Sequence, residues 1–293
     1  MNRRHFLQKS TALALGASVL PYGFFKSYNK VEKLGIQLYT VRSEMDKDAK
    51  GVLRRLADIG YNYVESAGYK EGRFYGMKPK AFRRHLKSLG LSMPSGHCAT
   101  GFQAPNQRGT LLKDWEMAVA DAAEAGQQYL VLAYLSEPER QSINDYKRLA
   151  EQLNKAGEVC NQYGISFGYH NHDFEFLDFN GQTPYDLLLK EVEEKNMKME
   201  LDLYWATKAG KDPMEYFRKS PGRYALWHVK DMDNTPERFF TEVGNGSINF
   251  PAIFREKETA GMQYFFVEQD TCRDHPPLES AAISYRYLLG MEY

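Results

Sequence analysis

The chain has 293 residues, enough for one large domain with a complete hydrophobic core. Its composition is that of an ordinary soluble protein, with 43% hydrophobic and 26% charged residues. The 38 basic and 38 acidic residues give zero net charge, which excludes the strongly basic surface expected of a nucleic-acid-binding protein. Three cysteines, an odd number without close spacing, exclude a disulfide framework.

Residues 1–26 are predicted to form an export signal. Two adjacent arginines at positions 3 and 4 precede Phe-Leu and an apolar stretch over residues 11–20, an arrangement that resembles a twin-arginine signal. The apolar stretch is too short for an ordinary membrane-spanning helix, so no stable membrane anchor is expected. We therefore expect the mature protein to be periplasmic or secreted, in a compartment where phosphorylated metabolites are scarce.

Eight apolar, strand-like runs recur along residues 33–293, with helical segments between them. The predicted strands are Leu34–Tyr39, Tyr63–Ser66, Ser92–His97, Tyr129–Tyr134, Ile165–Tyr169, Lys198–Asp202, Ala225–Val229 and Tyr264–Glu268. Alternating strands and helices predict a parallel sheet of the α/β class. Eight such units in this length favour a single (β/α)8 TIM barrel, which typically has about 250 residues.

The ends of the predicted helices are marked by glycine and by capping residues. Four predicted helices are each followed by a glycine directly before a strand, as is typical of αβ connections. These helices are Lys47–Ile59, Pro79–Leu89, Leu111–Ala125 and Ile143–Tyr163. Thr183 and Asp212 are predicted to cap helices that begin at Pro184 and Pro213.

Histidines and carboxylates concentrate at the carboxyl ends of the predicted strands, where the active site of a parallel barrel lies. They are Glu65 on the second strand, His97 on the third, His170 and His172 on the fifth, Asp202 on the sixth, His228 on the seventh and Glu268 on the eighth. A single residue of this kind is usually a helix cap or a core residue. Several on consecutive strands predict one shared metal site, and a mixed His/Asp/Glu set suits Mn²⁺, Zn²⁺, Fe²⁺ or Co²⁺ better than Ca²⁺.

Several segments resemble the xylose isomerase-like TIM-barrel family, the sugar isomerase/epimerase superfamily that includes inosose dehydratase. They are Glu65, Leu201–Trp205, Trp227–Asp231, Val243–Phe250 and Val267–Asp270. The resemblance covers roughly residues 33 to 290. Members of this family usually hold one divalent metal with Glu, Asp, His and Glu from strands 5 to 8.

The resemblance implies a metal site with one substitution. Asp202, His228 and Glu268 match three of the family's ligands, whereas His170 stands where the strand 5 Glu is expected. We expect His170 to be the fourth ligand, with water or Glu175 as alternatives, and Mn²⁺ to be the metal.

The chemistry implied by the resemblance is proton abstraction next to a carbonyl in an unphosphorylated keto-sugar or keto-polyol, such as a 3-keto-glycoside. His172 resembles the position of the general base in dehydratase relatives, and His is the usual choice near neutral pH. Glu268 is expected to join in proton transfer. Lys230 is expected to stabilise an oxyanion, or else to pair with Asp231 or Glu200. Without the strand 5 Glu, one-base elimination is favoured over symmetric epimerisation.

Further residues are expected to bind the small-molecule substrate. Glu65 and His97 would contact its hydroxyl groups. Tyr39, Tyr134 and Trp205 would form stacking walls for a sugar ring, or else pack beneath the loops.

Two other functions are compatible with the fold. A non-catalytic carbohydrate-binding or partner subunit would explain the missing strand 5 Glu. A phosphodiesterase like endonuclease IV would need a basic DNA surface, against which the zero net charge argues. A homo-oligomer is possible, although no segment identifies an interface.

Overall fold

Eight parallel strands form a closed barrel in the computed structural model, which describes residues 29–293. The barrel strands are β1 Gly35–Gln37, β2 Tyr63–Ser66, β3 Ser92–Cys98, β4 Tyr129–Leu132, β5 Ser166–His170, β6 Lys198–Asp202, β7 Leu226–Val229 and β8 Tyr264–Val267. Each strand pairs with the next along the chain, and β8 closes the ring by pairing with β1. The predicted (β/α)8 fold is confirmed. The predicted signal over residues 1–26 lies outside the described residues and stays a prediction.

Helices follow the strands on the outside of the barrel. They are α1 Arg42–Ile59, α2 Pro79–Ser88, α3 Trp115–Ala125, α4 Ile143–Gln162, α5 Pro184–Glu191, α6 Leu203–Lys208, α7 Pro213–Lys219, α8 Phe250–Phe254, α9 Lys257–Ala260 and α10 Pro277–Gly290. Between residues 29 and 293, no helix is both long and apolar enough to span a membrane.

Local hydrogen bonds end two of the predicted elements at other residues. The first strand stops at Gln37, whose side-chain oxygen accepts a hydrogen bond from the Tyr39 backbone NH at 3.1 Å and starts a 3₁₀ turn. The helix expected from Leu111 begins at Trp115 instead. The backbone NH of Leu111 donates to the Ala99 carbonyl at 3.0 Å, and Leu111 and Leu112 form a turn before the helix.

A third boundary is also wrong. The helix expected from Lys47 begins earlier, at Arg42, and contains a kink at Asp48.

The two predicted helix caps behave differently. Asp212 accepts a hydrogen bond from the Met214 backbone NH at 2.9 Å, which confirms it as an N-cap. The helix after Thr183 begins at Pro184 as predicted, but the Thr183 side chain makes no capping hydrogen bond within the described chain. Proline at the first position needs no NH partner and already fixes a helical φ, so the helix can begin without that cap.

The barrel interior changes character along its axis. At the amino end it is filled by an apolar layer of Tyr63, Val131, Leu226 and Phe266. Side chains alternate along a strand, so residues two positions on share the same inward face. Tyr63, Leu226 and Phe266 are therefore followed by Glu65, His228 and Glu268, which place a polar layer above the apolar one.

Candidate active site

A cluster of ionisable side chains closes the carboxyl end of the barrel interior. Glu65, His170, Glu200, Asp202, His228, Lys230 and Glu268 are all buried, and His97 is partly buried. The structure thus brings together all four predicted metal ligands. It also adds Glu200, which shares a strand face with Asp202 but was not among the predicted site residues. Glu200 lies two residues before Asp202, so strand alternation alone would have placed both carboxylates inside the barrel.

Glu65 is held by three side chains around one of its oxygens. Its Oε2 lies 2.6 Å from His228 Nε2 and 3.3 Å from His97 Nε2, and Gln37 Nε2 donates to it at 2.8 Å. Glu65 is fully buried and does not line the substrate-sized cavity described below. Its predicted contact with substrate hydroxyls is therefore not supported by the geometry, which shows Glu65 orienting His228 instead.

Glu200 joins three imidazoles, those of His97, His170 and His228. Its Oε2 lies 2.8 Å from His97 Nε2 and 3.2 Å from both His170 Nδ1 and His228 Nε2. The other nitrogen of His228, Nδ1, lies 2.7 Å from Glu268 Oε2. Both nitrogens of His228 are thus engaged by carboxylates.

Lys230 neutralises part of this negative charge. Its ammonium lies 2.9 Å from Asp202 Oδ2, 2.7 Å from Glu268 Oε2 and 2.8 Å from Asp270 Oδ1. The predicted alternative of pairing with Asp231 or Glu200 is wrong. The Asp231 carboxylate turns away and accepts hydrogen bonds from four backbone amides, those of Met232, Gly244, Gly246 and Ile248.

The pKa shifts follow from crowding charges in a buried space. Burial alone would raise the pKa of Glu65, but His97 and His228 beside it hold that pKa well below its ordinary value. Burial alone would lower the pKa of His97, whereas Glu65 and Glu200 raise it to about 9. Burial and the neighbouring His228 lower the pKa of His170, so this imidazole is neutral at physiological pH.

The cluster fits a divalent metal ion. His170, Asp202, His228 and Glu268 each offer a ligand atom, and these atoms lie within 4.8 Å of one another. A second, overlapping group consists of His97, His170, Glu200 and His228. Glu175, the alternative ligand, belongs to neither group. The Glu175 carboxylate accepts hydrogen bonds from the Tyr169 hydroxyl at 2.7 Å and from the His172 backbone NH at 2.8 Å.

The charge balance supports the same conclusion. Within the described chain, five carboxylates crowd this end of the barrel: Glu65, Glu200, Asp202, Glu268 and Asp270. Their positive partners are the Lys230 ammonium and the imidazoles of His97 and His228, whose pKa values the carboxylates raise. Buried charges are costly unless they are compensated, and the charge of a divalent cation would take the place of the imidazole protons. One oxygen each of Glu65 and Glu200 is buried without a hydrogen-bond partner in the described residues, so these acceptors are available to a cation.

His172 lies beside the ligand cluster, with its ring 5.1 Å from that of His170, and is surrounded by aromatic side chains. Its ring stacks on Phe174 at 5.2 Å with an interplanar angle of 5°, and Tyr134 and Trp205 pack against it at 5.2 and 5.4 Å. The Nδ1 atom is buried without a hydrogen-bond partner among residues 29–293. Burial, followed by the nearby Lys230 charge, lowers the pKa of His172 to about 3, so the ring keeps a free lone pair.

A cavity of about 540 Å³ opens directly above the cluster. It is lined by Tyr39, Arg42, His97, Ala133, Tyr134, His170, His172, Lys230, Glu268, Asp270 and Thr271. Tyr39 and Tyr134 are about half exposed and both line the cavity. Trp205 does not line the cavity, but its ring packs against His172 and lies 5.9 Å from the Lys230 ammonium.

Asp270 and Arg42 also line this cavity, although they had no predicted role in the site. A larger cavity, of about 710 Å³, lies at the opposite end of the barrel around Tyr63 and Tyr264. It contains none of the clustered histidines, so the smaller cavity is the candidate substrate site.

The fold and the site define a barrel enzyme with a buried His/carboxylate cluster beneath a small-molecule cavity. The profile of the family described as "Xylose isomerase-like TIM barrel" matches residues 53–288, and the chain belongs to this family. The resemblance inferred from the sequence is thereby confirmed.

Individual proteins similar to this chain are named as sugar-converting enzymes. An inosose dehydratase from Geobacillus kaustophilus (strain HTA426) is 22% identical over 258 residues, covering 77% of this chain and 82% of that protein. The solved structure of a sugar phosphate isomerase/epimerase from Parabacteroides distasonis ATCC 8503 is 29% identical, with a TM-score of 0.75 over 89% of this chain and 94% of its own.

The structure of a 3-keto-D-glucoside 4-epimerase from E. coli has the same fold, with 16% identity and a TM-score of 0.64 over 88% of this chain and 99% of its own. These homologues support an enzyme of the sugar isomerase, epimerase and lyase group, in agreement with the expectation from the sequence.

Proposed function

We propose that the protein is a divalent-metal-dependent enzyme that abstracts a proton α to the carbonyl of an unphosphorylated keto-sugar or keto-polyol. The observation that supports this proposal most directly is the placement of His172. Its imidazole, kept neutral by its lowered pKa, lines the same cavity as His170 and Glu268. A base beside a metal-ligand cluster is the arrangement that enolisation requires.

Four residues would hold the metal: His170, Asp202, His228 and Glu268. Mn²⁺ is the proposed ion, with Zn²⁺, Co²⁺ or Fe²⁺ as alternatives, since imidazole and carboxylate ligands suit all of them. When bound, it would supply Lewis-acid stabilisation of the negative charge that develops on the substrate carbonyl.

The residues of the chain would divide the proton chemistry between them. His172 would accept the α-proton, because its lowered pKa keeps the ring unprotonated and the negative charge developing on the substrate would raise its proton affinity. Lys230 stays protonated, since its three carboxylate neighbours raise its pKa against the effect of burial. Lys230 would therefore keep a positive charge at the cavity wall, where it would stabilise negative charge that develops on a substrate oxygen.

The bond that changes after enolisation distinguishes isomerisation, epimerisation and β-elimination. Symmetric epimerisation needs a base on each face of the substrate. Glu268 is one carboxylate at the cavity, but the end of β5 carries His170, whose neutral ring is held by Glu200. This asymmetry favours a one-base reaction such as β-elimination.

The proposed substrate class is a 3-keto-glycoside or a related keto-polyol. The half-exposed Tyr39 and Tyr134 offer aromatic faces of the kind on which sugar rings stack. A substrate without phosphate also accords with the export proposed for residues 1–26, which would place the protein in the periplasm or outside the cell.

Proton exchange followed by ¹H NMR in D₂O tests this function. The full-length protein, loaded with Mn²⁺, would be incubated with 3-keto-glucosides and free keto-sugars beside a phosphorylated keto-sugar. We expect loss of the α-proton signal from an unphosphorylated substrate. His172→Ala is expected to slow this exchange by about 10²- to 10⁴-fold, the usual contribution of a general base.

His275→Ala is the matched control, because His275 lies on the surface near Glu279 and away from the cavity. It should exchange at the wild-type rate. No exchange of any substrate by metal-loaded protein would overturn the proposal. Binding of the same sugars without exchange would then favour a non-catalytic carbohydrate-binding or partner subunit, the alternative supported by His170 in place of a carboxylate.

A further inference from the structure

A second cavity, of about 400 Å³, opens beside the candidate substrate site. The two cavities share four lining residues, Tyr39, His97, Ala133 and Tyr134, so they adjoin each other. The far wall of the second cavity is formed by the loop between β3 and α3, over residues 98–110. Both volumes fall in the range of roughly 300–1,000 Å³ that is typical of small-molecule sites.

The loop that forms this wall is closed by hydrogen bonds between its own two ends. The backbone NH of Leu111 donates to the Ala99 carbonyl at 3.0 Å, and that of Leu112 donates to the Thr100 carbonyl at 2.9 Å. At Gly101, with φ of 92°, an added Cβ would come within 2.3 Å of Thr110 Oγ1. Backbone bonding and close packing thus give the second cavity a defined shape before any ligand binds.

The second cavity has no lysine or arginine among its described lining residues, in contrast to the first cavity with Arg42 and Lys230. Its one carboxylate, Glu139, accepts a hydrogen bond from the Ser136 backbone NH at 2.9 Å. Its one imidazole, that of the shared His97, is already paired with Glu65 and Glu200. A phosphate or carboxylate would find no free counter-charge here, so the cavity suits an uncharged group.

The same lining has features that suit a sugar ring. The side-chain amides of Gln103 and Gln107 line the cavity, and neither makes a hydrogen bond with another described residue. Both amides are available to hydroxyl groups. The rings of Tyr39, Tyr69 and Tyr134 supply aromatic surface around them.

We propose that the second cavity binds the second ring of a neutral two-ring glycoside whose keto-sugar ring occupies the first cavity. The shared residues His97, Tyr39 and Tyr134 would then flank the glycosidic linkage. This inference rests on the proposed function, and it narrows the substrate from keto-sugars in general to uncharged keto-disaccharides and similar glycosides.

Kinetics with matched one-ring and two-ring substrates test the inference. The probes are methyl 3-keto-α- and β-glucoside against 3-keto-maltose and 3-keto-cellobiose, which present both linkages. For at least one linkage we expect wild-type kcat/KM to be about 10- to 100-fold higher for the disaccharide, because the second ring adds contacts. Ala104→Trp, which fills the second cavity, should lower this ratio of kcat/KM values by at least tenfold.

Asn106→Trp is the control, since Asn106 is an exposed residue of the same loop that does not line the cavity. It should keep the wild-type ratio. Turnover of the methyl glycosides with equal kcat/KM for the disaccharides, unchanged by Ala104→Trp, would overturn the second-ring inference while leaving the proposed function intact.

If no probe is turned over, the second-ring inference can be tested by binding alone. Calorimetric titration would compare unoxidised maltose and cellobiose with the two methyl glucosides. Tighter binding of a disaccharide to the wild type than to Ala104→Trp would support the second cavity even if the proposed reaction failed. Equal binding of one-ring and two-ring sugars would overturn it.

Discussion

The two ends of the barrel interior follow the same side-chain alternation but have opposite chemistry. The amino end is closed by Tyr63, Val131, Leu226 and Phe266. One inward position further along, the strands carry Glu65, His228 and Glu268, which are equally buried but charged. The apolar layer gains free energy by leaving water, whereas the polar layer needs compensating charge to remain there. The comparison separates residues that stabilise the barrel from residues that equip it for chemistry.

The strongest test of the polar layer is removal of the metal that we propose binds there. His228→Ala removes the imidazole that joins Glu65, Glu200 and Glu268. We expect proton exchange to fall on the order of 10²- to 10³-fold or more, because Lewis-acid and electrostatic stabilisation are lost together. Elemental analysis should show less than one equivalent of metal. Treatment of the wild type with a chelator should reproduce the loss of activity. Added Mn²⁺ should then restore the activity of the wild type but not that of His228→Ala. Full activity after chelation would contradict a metal role.

Phe266→Ala probes the apolar layer. The ring is fully buried and packs edge-on against Tyr63 at 5.5 Å. Its truncation should lower the free energy of unfolding by about 3–5 kcal/mol through lost burial and a residual cavity. Urea denaturation of the metal-free protein measures this loss. Leu289→Ala, at a half-exposed surface position, should change stability by less than about 0.5 kcal/mol. Similar losses of unfolding free energy in Phe266→Ala and Leu289→Ala would contradict the stabilising role assigned to the apolar layer.

Lys230→Met tests whether the polar layer depends on charge compensation. Without the ammonium, Asp202, Glu268 and Asp270 lose their common partner, and we expect the metal-free protein to lose about 3 kcal/mol of unfolding free energy. Mn²⁺ should recover part of that loss. Lys190→Met breaks an exposed pair with Glu191 and should cost at most about 1 kcal/mol. A loss no larger than the control would show that the carboxylates are not ionised together.

The smallest expected effect concerns Glu175, which supports the β5 end from below His172. Burial raises its pKa to about 8 in the folded protein, above its ordinary value of 4.5. The folded state therefore retains a proton that the unfolded state releases, so stability is full below about pH 4.5 and falls as pH rises toward 8.

Glu175→Gln should flatten this dependence, which amounts to about 1–3 kcal/mol of unfolding free energy between pH 5 and 8. Denaturation at both pH values measures the difference. Glu279→Gln, at an exposed carboxylate, should retain the wild-type slope. Identical slopes in the wild type and Glu175→Gln would contradict the raised pKa.

Several features were predictable because they depend on short-range sequence patterns. Strand and helix alternation placed all eight strands, and the polar strand ends placed His170, Asp202, His228 and Glu268 at one mouth. The hydrogen bond from Gln37 to Glu65, and the contacts by which Glu65 and Glu200 hold the histidines, were not predictable. Each is defined by contacts between strands that are far apart along the chain, such as Glu65 with His228.

The sequence by itself determined that the chain is an α/β barrel of this family and which strand ends carry ionisable groups, since side-chain periodicity and motifs are local properties. Only the tertiary structure decided which of those groups meet. It turned Asp231 toward the backbone of the loop after β7, directed Lys230 to three carboxylates, and placed Glu65 beneath the cavity rather than in its wall. Those outcomes depend on barrel closure, because ring curvature and burial select the partners that each charge can reach.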